Sequence, residues 1–150
     1  MLGLSELLSQ VPKKYETIIV DGFPFDDQGR LLMQRRSMNR KLFPGFWDAI
    51  GGHLEHGESI EEGLRREMRE ETSMDLVTIE GLVNRFEWAS NPHALNLQFV
   101  CRATGTPVPE EGKVTELRWI SRADLDDLHE WLTPEMKKGA LAAFDFLRHK

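Results

Sequence analysis

Cysteine is almost absent from this chain, with Cys101 the only one. That excludes an internal disulfide and a metal site built from several thiolates. No apolar run approaches the roughly 20 residues that a membrane-spanning helix needs. Residues 1–10 are too polar for a secretory leader, so a cytoplasmic location with no membrane partner is expected. Cations are in the minority. Lys plus Arg is 19 against 25 for Asp plus Glu, a formal charge of −6. A nonspecific binder of nucleic-acid polymer needs the opposite balance. A small phosphorylated substrate remains compatible, because carboxylates hold phosphates through divalent cations. Repeats and linkers are also missing, so residues 1–150 read as one domain.

What is present reads as alternating strand and helix. Residues 1–14 form an amphipathic lead-in with Leu2, Leu4, Leu7 and Leu8. The β-branched run 17–25, the turn formers 26–29 and the apolar stretch 31–35 predict a hairpin. A charged, Gly- and Pro-containing loop spans 37–47, followed by a short strand at 47–50 and a second loop at 51–57. Ser59 is a plausible N-cap for a helix over 59–71, with Glu61 and Glu62 in its first turn. Strands are expected at 82–88, 95–103 and 117–120. Ser121 starts a small helix to Leu128, and Thr133 with Pro134 starts a last helix to Leu147. Its expected apolar stripe is Met136, Leu141, Phe144 and Leu147. The order lacks a βαβαβ rhythm, so an α/β fold of the α/β/α sandwich type with a mixed central sheet is expected.

The informative stretch is 51–74. Within 55–71, seven glutamates face three arginines. At 100° per residue, Ile60, Leu64 and Met68 form an apolar stripe. Glu67 and Glu71 fall on or beside it, and Glu70 on the adjoining flank. A solvated helix keeps its acids away from its apolar side, and like charges at i,i+3 and i,i+4 repel. Carboxylates in that position need partners. Either Arg65, Arg66 and Arg69 provide them, or divalent cations with a preference for oxygen do. Gly51, Gly52 and Gly57 permit close backbone approach to a ligand, and the helix start offers amides to an anion.

The spacing of Gly52, Glu58, Arg66, Glu67, Met68, Glu70, Glu71, Ser73 and Met74 resembles the signature of the Nudix hydrolases. Ser73 alone departs, where the family usually has glycine at the helix end. The resemblance implies Mg²⁺ (or Mn²⁺) held by Glu70 and Glu71. It gives Glu67 as a further ligand or general base, and the Gly51 carbonyl as an added ligand. Glu58 and Arg66 would hold the loop–helix geometry through ionic contacts. Some members take their base from a loop before the last strand. Glu110, Glu111 and Glu116 stand there, with Glu111 the preferred extra ligand or base. The implied reaction is hydrolysis of a phosphoanhydride in a nucleotide or nucleoside-diphosphate-linked substrate. The resemblance also allows a homodimer.

For substrate contacts, Arg35, Arg36, Arg40 and Lys41 are the densest cations, placed to meet phosphate or simply to face water. Phe46 and Trp47, like Phe43, Phe86 and Trp88, either stack on a base or pack in the core. Family subtypes narrow the choice. The proline common in ADP-ribose hydrolases is missing at Ala89, the tyrosine of dinucleotide hydrolases has no counterpart after the signature, and no coenzyme A motif is evident. A nucleoside triphosphate pyrophosphohydrolase is therefore expected, ahead of a sugar-nucleotide or dinucleotide hydrolase. The segment 34–53 also resembles Nudix-fold isopentenyl diphosphate isomerases, whose catalytic cysteine near the glycine loop is not found at Gly51-Gly52-His53. A non-catalytic nucleotide-binding module would be expected to lose Glu67, Glu70 or Glu71, and all three are kept.

Overall fold

The computed structural model describes residues 3–12 and 14–149. Leu2, part of the expected lead-in, lies outside them. The rest of that lead-in forms a short helix, α1 (Leu4–Ser9), and Leu4, Leu7 and Leu8 pack half-buried against the core.

The strand β1 (Thr17–Pro24) is flanked by apolar layers on both faces and lies inside a four-stranded mixed sheet. It runs parallel to β6 (Asn91–Thr104) and antiparallel to β4 (Ile50–His53), and β5 (Asp75–Trp88) completes the order β4-β1-β6-β5. A second, antiparallel sheet holds β3 (Trp47–Asp48), β2 (Leu31–Arg36) and β7 (Val114–Ile120) in the order β3-β2-β7. The expected β1–β2 hairpin is therefore corrected. The turn forms, with Asp26 accepting from the amides of Gln28 and Arg30. Beyond it only Phe25 and Leu31 bridge. The strands part because each finds longer partners elsewhere, β1 in β6 and β2 in β7. The single short strand expected at 47–50 likewise splits between the two sheets. The central layer is thus two sheets.

Helix α2 (Ile60–Thr72) starts at a capping box. Ser59 Oγ accepts from the Glu62 amide at 3.1 Å and Glu62 Oε1 accepts from the Ser59 amide at 3.0 Å. Ile60, Leu64 and Met68 are fully buried, and each such burial contributes roughly 1.5–3 kcal/mol. They meet Val20, Leu97 and Phe99 in one apolar layer. On the other side, α3 (Pro134–Arg148) shares a layer with Phe23, Phe25 and Val100. Its buried face is Met136, Gly139, Ala140 and Ala143, whereas Leu141, Phe144 and Leu147 of the expected stripe are only partly covered. Small residues let this helix sit close to the sheet, and a Cβ on Gly139 would collide with Gln98 Oε1. The small helix expected from Ser121 to Leu128 is a 3₁₀ helix, Ala123–Trp131. No helix among the described residues is long and apolar enough to cross a membrane.

Candidate active site

A cavity of about 760 Å³ opens where α2, β1 and β4 meet the 37–47 loop. The apolar stripe of α2 sets the phase of the acids beside it. Glu71 lies one residue-turn from Met68's row and is carried under the surface, 9% exposed. The Glu67 side chain keeps 13% exposure, while that of Glu70 keeps 48% and sits at the rim. All three line the cavity.

The glycines of the signature belong to a strand, not to the loop expected over 51–57. Gly51 pairs with Asp21 and Gly52 with Val20. Their lack of a side chain is a matter of space. A Cβ on Gly52 would lie 2.6 Å from Glu67 Oε1, and one on Gly51 would run into the Val20 carbonyl oxygen. The α2 start, where an anion site was expected, does not line the cavity, and its Glu62 amide donates to the Ser59 hydroxyl.

Two acids that sequence reasoning passed over join the group. Asp21 projects from β1 and is 5% exposed. Its Oδ2 accepts from Asn96 Nδ2 at 2.7 Å and Gln98 Nε2 at 3.0 Å. Asp48 follows Trp47 in β3 and accepts from Arg36 Nη1 at 3.3 Å. The alternation of β1 puts Ile19 and Asp21 on the cavity face, but a single Asp in an apolar strand carries no spacing signal.

Crowded, recessed carboxylates resist ionisation. Burial, with Asp48 and Glu67 adding to it, pushes Asp21 up to about 7. Burial raises Asp48 against the pull of Arg36, and raises Glu67 against the pull of Arg66. Glu71 is raised well above its ordinary value by burial, and the charges of Glu67, Asp48 and Asp21 add to that. Its Oε1 accepts from Gln34 Nε2 at 2.7 Å, while its Oε2 is buried with no partner. A divalent cation would relieve both the repulsion and the orphaned oxygen, and an all-oxygen donor set fits Mg²⁺ or Mn²⁺.

Arg66 binds the loop to the helix. Its Nε and Nη2 donate to Glu58 Oε2 and Oε1 at 2.7 and 2.9 Å, and Nη2 also reaches the His53 carbonyl at 3.1 Å. This fork lowers the Glu58 carboxyl below its usual range. Nη1 extends to Glu67 at 3.0 Å and Glu70 at 3.3 Å. Among the described residues no three His, Cys, Asp or Glu side chains already converge at metal-ligand spacing. The guanidinium stands between Glu67 and Glu70, with Nη1 donating to both.

Other expected residues divide by strand phase. Arg36 and Arg40 line the cavity, as do Phe46 and Trp47. Arg35 does not. It points to the opposite side of β2, donates to the Gly45 carbonyl at 3.0 Å and lies over the Trp131 ring at 5.1 Å. Glu111, expected as an extra ligand or base, does not line the cavity. It is exposed at a turn, and its neighbour Glu110 faces the cavity, 4.0 Å from Lys113 Nζ. Glu116 pairs with Arg118 away from the cavity. Trp88 lines the cavity, while Phe86 packs beside it at 5.8 Å.

Fold and site together define a mixed α/β sandwich with an acidic helix facing a ligand-sized cavity. Residues 16–142 match the family model described as NUDIX domain, and the chain belongs to that family. A Nudix hydrolase of Deinococcus radiodurans is 32% identical over 131 residues, covering 83% of this chain and 68% of its own. An isopentenyl-diphosphate Delta-isomerase of Salmonella arizonae is 30% identical over 108 residues, or 67% of this chain. The chain spans only 59% of that relative's length. The crystal structure of a MutT protein from Methanosarcina mazei Go1 superposes with a TM-score of 0.72 at 28% identity, covering 93% of this chain and 99% of that one.

Proposed function

We propose that this chain hydrolyses a phosphoanhydride bond in a nucleotide, with a nucleoside triphosphate split to monophosphate and pyrophosphate as the preferred case. The observation that carries this reading is the partnerless, buried Oε2 of Glu71 amid Glu67, Asp21 and Asp48 in a cavity also lined by Arg36 and Arg40. Glu70, Glu71 and the Gly51 carbonyl would hold Mg²⁺ or Mn²⁺. The bound ion supplies charge neutralisation on the phosphate oxygens and a lowered water pKa.

The chain's own groups do the remainder. Arg36 and Arg40 orient the anionic end of the substrate, and Phe46 covers its apolar part. Arg66 fixes the helix against the loop, so that Glu67 keeps its aim. Glu67, its proton affinity raised by burial, takes the proton of the attacking water. The water oxygen bonds to phosphorus as the bridging P–O bond breaks, and the departing pyrophosphate or nucleoside monophosphate carries off the electron pair. The test is a screen of nucleoside triphosphates, sugar nucleotides and dinucleotides with Mg²⁺ and Mn²⁺. Turnover that stops with a chelator is expected, and no metal-dependent turnover on any of them overturns the reading.

The isomerase relatives motivate a second reading, isomerisation of isopentenyl diphosphate. Cys101 counts against it. The thiol is fully buried in the apolar layer under α2 and pushed up to about 12 by that burial. Conversion of isopentenyl diphosphate followed by proton NMR separates the two, with no conversion expected.

A further inference from the structure

Gln34 stands in the middle strand of the three-stranded sheet, opposite Asp48 of β3 and Leu117 of β7. It is 2% exposed. Its amide nitrogen donates in two directions, to the Ala49 carbonyl at 2.7 Å and to Glu71 Oε1 at 2.7 Å. Its own Oε1 has no donor, and neither has Glu71 Oε2. The amide cannot turn over, because that would set its carbonyl oxygen against two other acceptors. A backbone carbonyl three residues from Gly52 thus fixes the amide, and the amide fixes one oxygen of Glu71.

We propose that Gln34 is a positioning residue for the divalent ion, holding Glu71 so that Oε2 alone is offered to the cation. This rests on the reading of Glu71 as a ligand. An amide suits the task better than a cationic side chain. Lysine or arginine at position 34 would also donate to Oε1, but its charge would compete with the metal for the same carboxylate. A neutral donor orients the ligand and leaves its full negative charge to the ion. Its place in a central strand makes the anchor more rigid than a loop residue would be.

Gln34→Met keeps the length of the side chain and removes both donors. Binding of Mn²⁺ alone to the metal-free protein, followed by electron paramagnetic resonance, should weaken by about 10- to 100-fold. The Mn²⁺ concentration for half-maximal turnover should rise in parallel, with substrate KM at saturating ion little changed. Glu71→Gln serves as the reference. If Glu71→Gln binds Mn²⁺ like wild type, the ligand reading itself fails. If Glu71→Gln weakens binding and folded Gln34→Met does not, the ligand reading stands and the role of Gln34 is overturned. Lower stability of Gln34→Met with unchanged Mn²⁺ affinity overturns it equally, as a purely structural role. Should Gln34→Met fail to fold, the wild type provides the measurement. Its Gln34 side-chain amide signals, in ¹⁵N-labelled protein, should shift on saturation with Mg²⁺ and stay protected from exchange. Signals unmoved by Mg²⁺ overturn the proposal.

Discussion

The carboxylate of Glu67 occupies the space that a side chain on Gly52 would need, with Oε1, Cδ and Oε2 all within 2.9 Å of an added Cβ. Strand β4 and helix α2 are thereby gauged against each other. Because the obstructing atoms are the end of a flexible side chain, Gly52→Ala should fold. It should also push the Glu67 carboxylate aside by about an ångström, a displacement that typically costs on the order of 10²-fold in turnover. Circular dichroism and kcat/KM check both halves. Near-normal kcat/KM in a folded Gly52→Ala would show that the aim of Glu67 does not matter.

Glu71→Gln should cut kcat/KM by roughly 10²-fold or more, as removal of one electrostatic stabiliser commonly does. The amide keeps the size of the side chain, and its carbonyl can still accept from Gln34. Without metal the melting temperature should hold or rise, since one member of a repelling group is gone. With Mg²⁺ the wild type should recover the difference, because ion binding stabilises only the folded state. A variant that is less stable yet fully active would assign Glu71 to structure alone.

The metal-free protein should lose stability as pH rises. Asp21 has a folded pKa of about 7 against an ordinary value of 3.8. A raised carboxyl pKa means that the folded state binds the extra proton, so its contribution is complete below about pH 4 and disappears as pH climbs through 7. Asp21→Asn removes this titration. Its urea midpoint should therefore vary less than that of wild type between pH 4 and 8, and Mg²⁺ should flatten the wild-type curve in the same range. Parallel curves for the two proteins would refute the assignment.

Adjacent glutamates in one loop should behave differently. Glu110 borders the cavity and Glu111 faces water. Glu111→Ala should leave kcat/KM within about twofold of wild type, in keeping with surface changes that cost under ~0.5 kcal/mol. Glu110→Ala should lower it measurably. The reverse order would restore Glu111 to the site.

Ser73 ends α2 in the left-handed conformation, at φ 63° and ψ 11°. A side chain there costs roughly 1–2 kcal/mol, partly offset for glycine by its larger freedom when unfolded. Ser73→Gly should raise stability by about 0.5–1 kcal/mol, or the melting temperature by about 2 °C. Activity should not change, because Ser73 is exposed and does not line the cavity. Calorimetry decides, and a lower melting temperature would mean that the serine side chain contributes more than its strain costs.

The sequence by itself determined helix α2 and its acidic face, whereas β5 begins at Asp75, seven residues before the strand read at 82–88. The helix and its face are local properties. A 3.6-residue period places Glu67 and Glu71 beside Ile60, Leu64 and Met68 whatever the rest of the chain does, and Ser59 with Glu62 closes a cap within one turn. Tertiary structure alone decided which strands pair. β1 leaves its neighbour β2 for β6, more than seventy residues along the chain, because pairing follows buried faces and not chain order. That long-range choice is what brings Asp21, Asp48 and Gln34 to Glu71, none of them within a recognisable spacing of it. It also set the phase that turns Arg36 into the cavity and Arg35 out of it, since a strand alternates strictly and only its partners say which side is inside.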